Sequence, residues 1–231
     1  MINLRAYLDL LRREGEIVEI DTPVSADLEV AEIHRRVIAA GGPALLFRHV
    51  ESADFPCVTN LFGTPKRVDL AFGPRPGRFI RELVTLAQDL PSLSPGKLWG
   101  HRGLAREALR VGMKTVSGAP VTACRQTDPD LTRLPLLKTW PEDGGHFVTL
   151  PLVYTEHPDT GHHNLGMYRI QRYDAQTLGV HWQIQKGGGF HYHEAEALDQ
   201  PLEVAAVLGG DPALLLSAML PLPEAMEELI F

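Results

Sequence analysis

His163-Asn164-Leu165-Gly166-Met167-Tyr168-Arg169-Ile170-Gln171-Arg172-Tyr173 is the stretch that decides how the second half of this chain folds. Its Leu, Ile, Met and Tyr residues suit a pleated, half-buried surface, so residues 164–173 read as a strand. The same run carries a neutral amide oxygen at Asn164 and a guanidinium at Arg169. Further on lie an amine, Lys186, beside the glycine run Gly187-Gly188-Gly189, and a carboxylate, Glu228. Hard oxygens select magnesium or manganese, whereas Arg, Lys and free backbone N–H groups receive phosphate. The residue types therefore point to a divalent ion and a phosphorylated cofactor.

Around that run the texture is uniform from about residue 116 onward. Residues 121–124, 148–155, 177–185, 202–208 and 214–219 are short runs rich in Val, Ile, Leu, Tyr and Thr, divided by turn residues, and each reads as a strand. Strands in such close succession suggest a barrel or sandwich, whose closure hides unpaired edges and leaves a mouth for a planar ligand. Residues 223–231 read as a helix entering a further core. The apolar ending Leu229-Ile230-Phe231 leads to the expectation that more chain belongs after it.

The first half alternates helix and strand, as an α/β layer does. Leu4, Tyr7, Leu8 and Leu11 form one helical stripe, with Asn3 as cap and Gly15 as left-handed terminator. Residues 16–20 follow as a strand. A second helix carries Leu28, Ala31, Ile33 and Val37, opened by Ser25 or Asp27 and closed at Gly41-Gly42-Pro43. Residues 44–47 and 57–60 read as strands. Thr64 caps a helix with Pro65 in its first turn, a reading that outweighs a phosphate site at Lys66-Arg67. Helical patterns near 79–90 and 104–111, with turn-rich stretches at 73–77 and 118–120, lead into the second half. The expected division is an α/β domain over 1–115 and a strand-rich domain over 116–231.

Composition narrows the function classes. With 231 residues, 44% hydrophobic, the chain has enough apolar material for one or two real cores. A net charge of −7 argues against a nucleic-acid footprint, which needs a basic face to displace counterions. Cys57 and Cys124 are expected as two separate buried thiols, as in a reducing cytoplasm. No apolar run approaches the ~20 residues of a membrane span, and no secretion signal precedes the first helix.

Several motifs, taken in order, resemble one family. Gly41-Gly42-Pro43-Ala44-Leu45-Leu46-Phe47, the run Asn60-Leu61-Phe62-Gly63-Thr64-Pro65-Lys66-Arg67, Trp140-Pro141-Glu142-Asp143, the run Asn164 to Arg169 and residues 221–228 together resemble the UbiD family of reversible aromatic (de)carboxylases. The resemblance implies a small N-terminal α/β domain followed by a flavin-reductase-like split β-barrel. It also implies prenylated FMN, a divalent metal (Mn2+ or Mg2+), a potassium ion, and supply of the cofactor by a flavin prenyltransferase. The substrate would be a small aromatic or α,β-unsaturated carboxylic acid, and the protein a cytoplasmic homo-oligomer.

Residue by residue, Asn164 and Glu228 match the family's metal ligands. Arg169 matches the guanidinium of its catalytic Arg–carboxylate network. Met167, Tyr168 and Arg169 match the strand lying against the cofactor, His181, Trp182 and Gln183 the next strand, and Lys186 and Gly187 the loop after it. Ser217-Ala218-Met219 resembles a segment lending backbone oxygens to potassium. Where some members have a metal-binding His this chain has Lys186, whose ammonium has no lone pair for a metal and suits phosphate instead. The acidic catalytic residues of family enzymes lie beyond the position of Phe231, so the C-terminal family domain is absent from this chain. The alternative is accordingly a truncated, non-catalytic flavin- or metal-binding or assembly module that needs a C-terminal partner segment.

Other groupings carry less. His191-Tyr192-His193 with Glu194 or Glu196 could bind a metal if extended, but reads as an exposed polar loop after the glycines. His162-His163 and Asp143-Gly144-Gly145-His146 read as turns. Trp140 and Trp182 would stack on a ring or fill core. The glycine triplet lacks the strand-to-helix setting of a dinucleotide fingerprint.

Overall fold

The computed structural model describes residues 3–73, 117–183 and 186–219. The expected helices near 79–90 and 104–111, and the expected helix at 223–231, lie outside the described residues.

Helix α1 (Leu4–Arg13) begins where the Asn3 side chain accepts the Ala6 N–H, and buries Tyr7 and Leu11. Gly15, at φ +68°, turns the chain into strand β1 (Ile17–Ile20). Helix α2 (Glu29–Ala39) leads to β2 (Ala44–Phe47), buried along its whole length, and β3 (Cys57–Thr59) follows. The strands lie in the order β1-β2-β3, with β1 and β2 parallel and β2 and β3 antiparallel. A run buried at every position is what a central strand flanked by a parallel crossover requires. Helix α3 (Pro65–Phe72) closes this layer, with the Thr64 hydroxyl accepting the Arg67 N–H.

The start of α2 differs from expectation. Neither Ser25 nor Asp27 caps it; Leu28 does, at φ +67° and with no side-chain bond. Ser25 instead donates its N–H to Glu29 Oε2 at 2.7 Å, and its own hydroxyl accepts from the Asp27 N–H. The polar residues are thus spent on the turn before the helix, and the Leu28 N–H goes to Lys138 O at 3.1 Å.

In the second half the expected long strands are broken into shorter ones. Residues 148–155 divide into β4 (Phe147–Val148) and β5 (Leu152–Glu156), and residues 164–173 into β6 (His163–Gly166) and β7 (Ile170–Arg172). Strand β8 (Leu178–Val180) pairs with β7, and β9 (Val204–Val207) with β5. Two open three-stranded sheets result among the described residues, ordered β4-β7-β8 and β6-β5-β9.

Three expectations are corrected here. Residues 121–124 hold no strand, only a 3-10 turn at Pro120–Thr122. Residues 214–219 hold no strand: 214–217 belong to a helix, α5 (Pro212–Ser217), and 218–219 to the turn after it, because Asp211 Oδ1 accepts the Ala213 and Leu214 N–H groups and Pro212 fits the first turn. Residues 187–197, expected as loop, form helix α4 (Gly187–Ala197). The cysteines also differ from expectation: both are free, but Cys124 is exposed, while burial pushes the half-buried Cys57 thiol up to about 12. Among the described residues no helix is long and apolar enough to cross a membrane.

Packing is shared between the halves. Leu137 joins the core of Val24, Val30, Leu45, Phe47 and Val50, and Leu216 of α5 packs against that of Tyr7, Leu11, Ala44 and Leu61. In the latter core Tyr7, fully buried, places its hydroxyl 2.7 Å from Arg67 O and 3.1 Å from Leu61 O. Burial raises the phenol to about 12, so it remains a donor at any working pH. Tyr7→Phe removes this buried hydrogen bond and is expected to cost about 1–3 kcal/mol, read as a lower urea midpoint with an unchanged slope.

Candidate active site

The site residues divide between two faces joined by the segment 164–169. On the first face Asn164, in β6 opposite Thr155 of β5, is buried at 6% exposure, and its Nδ2 has no hydrogen-bond partner. Against it lies Gly187, the first residue of α4, where any Cβ would collide with Asn164 Oδ1. Gly188 is equally constrained: its Cβ would come within 2.8 Å of the Trp182 ring and of Tyr168 Oη. Its N–H donates to Tyr168 Oη at 2.9 Å. Glycine disfavours a helix interior, yet here it lets the start of α4 press onto β6. That close approach explains why a glycine run begins a helix rather than a loop.

Tyr168 is buried edge-on against Trp182, with ring centroids 5.0 Å apart, and Trp182 stacks on Tyr192 of α4 at 6.0 Å. Trp182 therefore joins the packing under α4, whereas Trp140 is exposed, with Arg35 lying 5.1 Å from its ring. Lys186, the cap residue of α4, is exposed, with Nζ 3.4 Å from Met167 O and 5.6 Å from the Tyr168 ring. Met167 itself packs against the core of Leu152, Leu165 and Leu215. Gln183 is exposed, and Glu228 lies outside the described residues. At the near end of the segment assigned to potassium, the Ser217 hydroxyl turns back onto Ala213 O at 2.9 Å.

His191, buried at 7% exposure, fixes α4 one turn further on. Its Nδ1 lies 2.9 Å from Thr155 Oγ1, and its ring meets that of His157 edge-on at 5.3 Å. In a helix His193 faces away from His191, so the two imidazoles share no ligand. Among the described residues no group of three His, Cys, Asp or Glu could hold a metal ion.

The second face is a groove of about 410 Å3, lined by Phe147, Arg169, Gln171, Tyr173, Val180 and His181. The guanidinium of Arg169 lies 3.6 Å from the centre of the Phe147 ring. Its Nη1 donates to Asp143 Oδ1 at 2.9 Å, and its Nη2 donates to Asp143 Oδ2 at 2.6 Å and to Thr139 Oγ1 at 3.1 Å. The Arg169 guanidinium holds the Asp143 carboxyl well below the usual carboxylate range, helped by Thr139 and the Trp140 N–H. The His181 N–H donates to Arg169 O at 3.2 Å, which continues the β7–β8 pairing past its last strand residue.

The sequence reading sets Asn164, Tyr168 and Arg169 on one segment but misses Asp143 and the buried role of His191. Asp143 stands in a family-like motif, where its own neighbours predict only a turn. No local spacing links it to Arg169, because the two meet through the register of β4 on β7, where Phe147 pairs with Gln171.

Residues 8–87 match the profile of the 3-octaprenyl-4-hydroxybenzoate carboxy-lyase N-terminal domain, and residues 114–231 that of the UbiD 3-octaprenyl-4-hydroxybenzoate carboxy-lyase Rift-related domain. The chain belongs to the UbiD family. A protein of Chlamydia pneumoniae, described as one of the subunits of 4-hydroxybenzoate decarboxylase, is 47% identical over 228 residues, covering 99% of this chain and 39% of that protein. A Chlamydia muridarum protein is 51% identical over 232 residues, covering 100% of this chain and 40% of its own length. The chain thus spans about 40% of these UbiD relatives.

Among solved structures, an evolved dimeric form of the UbiD-class enzyme HmfF from Pelotomaculum thermopropionicum, in complex with prFMN, superposes with a TM-score of 0.80 at 24% identity. The match covers 100% of this chain and 49% of that one. Vanillic acid decarboxylase of Sedimentibacter hydroxybenzoicus, in closed form, gives 0.80 at 23% identity, covering 99% and 47%. At such identities the agreement is one of fold.

The histidine under α4 gives a pH dependence with a definite sign. Burial, with His157 and His162 nearby, lowers the pKa of His191 below its ordinary 6.5. Above 6.5 the group is neutral folded or unfolded; as pH falls below that value the unfolded chain takes the proton first, and stability declines toward the lower folded-state value. Half-buried His34 and His146, lowered by the same desolvation, add to the same slope. The urea midpoint is expected to drop between about pH 7.5 and about pH 5.5, and His191→Gln to lessen that drop.

Proposed function

We propose that this chain forms the N-terminal and central part of a UbiD-type decarboxylase or carboxylase. The substrate is an aromatic or α,β-unsaturated carboxylic acid, and the cofactors are prenylated FMN and a divalent metal, manganese or magnesium. The observation that carries the reading is Asn164: a buried amide, opposite a glycine that leaves no room for a side chain, with a polar atom that nothing in the protein satisfies. Buried amides are nearly always fully bonded; the orphan here is Nδ2, which can only donate, so it suits an acceptor oxygen of a bound group, while a metal would take the other end of the amide. The amide oxygen is a hard neutral donor of the kind magnesium and manganese take, and Glu228 would add a carboxylate.

Prenylated FMN would supply the electron sink for loss of CO2. The chain's own residues would hold and orient. The groove beside Phe147 and Arg169 offers an apolar and cationic face to a flat ring, and the exposed ammonium of Lys186 suits a phosphate. Tyr168 and Trp182 would hold the start of α4 in place beside Asn164. In this reading strands β4–β9 belong to a split barrel, the division falls near residue 116, Ser217 to Met219 lend oxygens to potassium, and the protein is a cytoplasmic homo-oligomer. The proton returned to carbon comes from an acidic side chain of the longer protein.

A second reading rests on the described donor set, in which Asn164 stands without a cluster of acidic or imidazole ligands. It makes this chain a flavin- and metal-binding module whose site is completed by a partner segment. Anaerobic titration of the chain with prenylated FMN and Mn2+ separates the two. The enzyme reading expects metal-dependent flavin binding, weakened at least about tenfold by Asn164→Ala and by Glu228→Ala. Equal binding by all three proteins would refute the metal assignment; no binding by the folded wild type favours the module.

A further inference from the structure

The Asp143 carboxylate is held more completely than its ion pair with Arg169 requires. It accepts five hydrogen bonds: from Thr139 N–H at 3.3 Å, Thr139 Oγ1 at 2.9 Å, Trp140 N–H at 3.1 Å and the two from Arg169. Three of these come from its own loop, so the loop braces the carboxylate alongside Arg169. The loop is fixed in turn. Leu137 and Phe147 exchange backbone bonds across its base, and the Gln171 side chain donates to Gly144 O at 3.0 Å. A Cβ at Gly144 would come within 3.0 Å of that same Gln171 nitrogen, so the far flank of the loop also sits tight against β7.

The arginine is the exposed partner. Its side chain is 40% accessible, against 10% for Asp143. An ion pair so open to water contributes little to stability, so its geometry matters for the groove more than for the fold. Of the two guanidinium edges that can receive a carboxylate bidentately, the Nη1/Nη2 edge is already paired with Asp143, and Nη2 also donates to Thr139. The Nε–H remains outside these bonds.

We propose that Asp143 is the positioning residue of the groove, a built-in carboxylate that keeps the Nη1/Nη2 edge of Arg169 closed to ligand carboxylates and presents the Nε edge to the substrate. This rests on the reading that the groove handles a carboxylic acid, and adds to it which edge of Arg169 is available. A free carboxylate competes poorly, because displacing Asp143 would leave a sheltered anion without its counterion while its loop bonds still hold it in place. The depressed pKa of Asp143 agrees, since the carboxylate stays ionised where ordinary carboxyls have begun to protonate.

The test is 15N NMR of arginine guanidinium groups in the chain, with benzoate as the carboxylate probe. In the wild type the Arg169 Nη signals are expected to hold still across the titration. In Asp143→Asn they are expected to move saturably, with benzoate bound about fivefold more tightly because the cation is no longer compensated. Asp143→Glu is expected to return the signals toward wild-type behaviour, which a loss of mere packing would not. Backbone amide spectra check that the fold persists; if Asp143→Asn does not fold, Thr139→Val, which removes only the hydroxyl brace, is expected to loosen the same signals. Movement of the wild-type Nη signals to the same extent as the variant's overturns the proposal, because Asp143 would then be displaceable. Still signals in both proteins overturn it too, because something else would be closing that edge. Failure of the decarboxylase reading shows separately, as absence of metal-dependent flavin binding.

Discussion

The close approach of α4 to β6 is the constraint on which the site depends. Gly187 and Gly188 let the helix start touch Asn164, Tyr168 and Trp182, and any side chain at either position would push it away. His191 holds the same helix one turn later through Thr155. With α4 so placed, Asn164 is sealed from water, Lys186 stands over Tyr168, and segment 164–169 runs between two faces that would otherwise be unconnected. The stability lost to glycine in a helix is of order 0.5–1 kcal/mol per residue, a modest cost beside the packing it permits.

Arg169 sits at the other end of that segment. Its position follows from pairing rather than from its own neighbourhood: Val148 opposes Ile170, Phe147 opposes Gln171, and Phe147 carries both the ring beneath the guanidinium and the base of the Asp143 loop. A shift of one residue in this register would send the Phe147 ring to the opposite face of the sheet. The groove therefore depends on sheet alignment more than on any single contact within it.

Local signals in the sequence serve well where local chemistry decides. The Asn3 and Thr64 caps, the Gly15 terminator and the apolar run of β2 are all readable, because each is settled by residues within a few positions. Signals fail where tertiary contact wins. Residues 214–219 are apolar enough for a strand, but Asp211 and Pro212 ahead of them start a helix. The glycines at 187–189 look like a loop until their neighbours are known. Asp143 could not be joined to Arg169 by spacing, since 26 residues separate them. The family resemblance supplies Asn164 and Arg169 as a pair of interest, and the structure supplies what surrounds each.

The unusual start of α2 has a consequence for how the chain unfolds. Leu28 holds a left-handed backbone that a branched side chain rarely adopts, and its N–H is bound to Lys138 O, while Lys138 N–H returns to Ala26 O. Residues 26–28 are thus tied to a segment more than one hundred positions away, beside Leu137 in the first core. The N-terminal layer borrows both a core side chain and the restraint on a strained turn from the strand-rich half. Melting of the second half would release the Leu28 turn and open the first core together, so the seam between the two profile matches is not a line of independent stability. Unfolding of the N-terminal layer is therefore expected to be coupled to that of the strand-rich half.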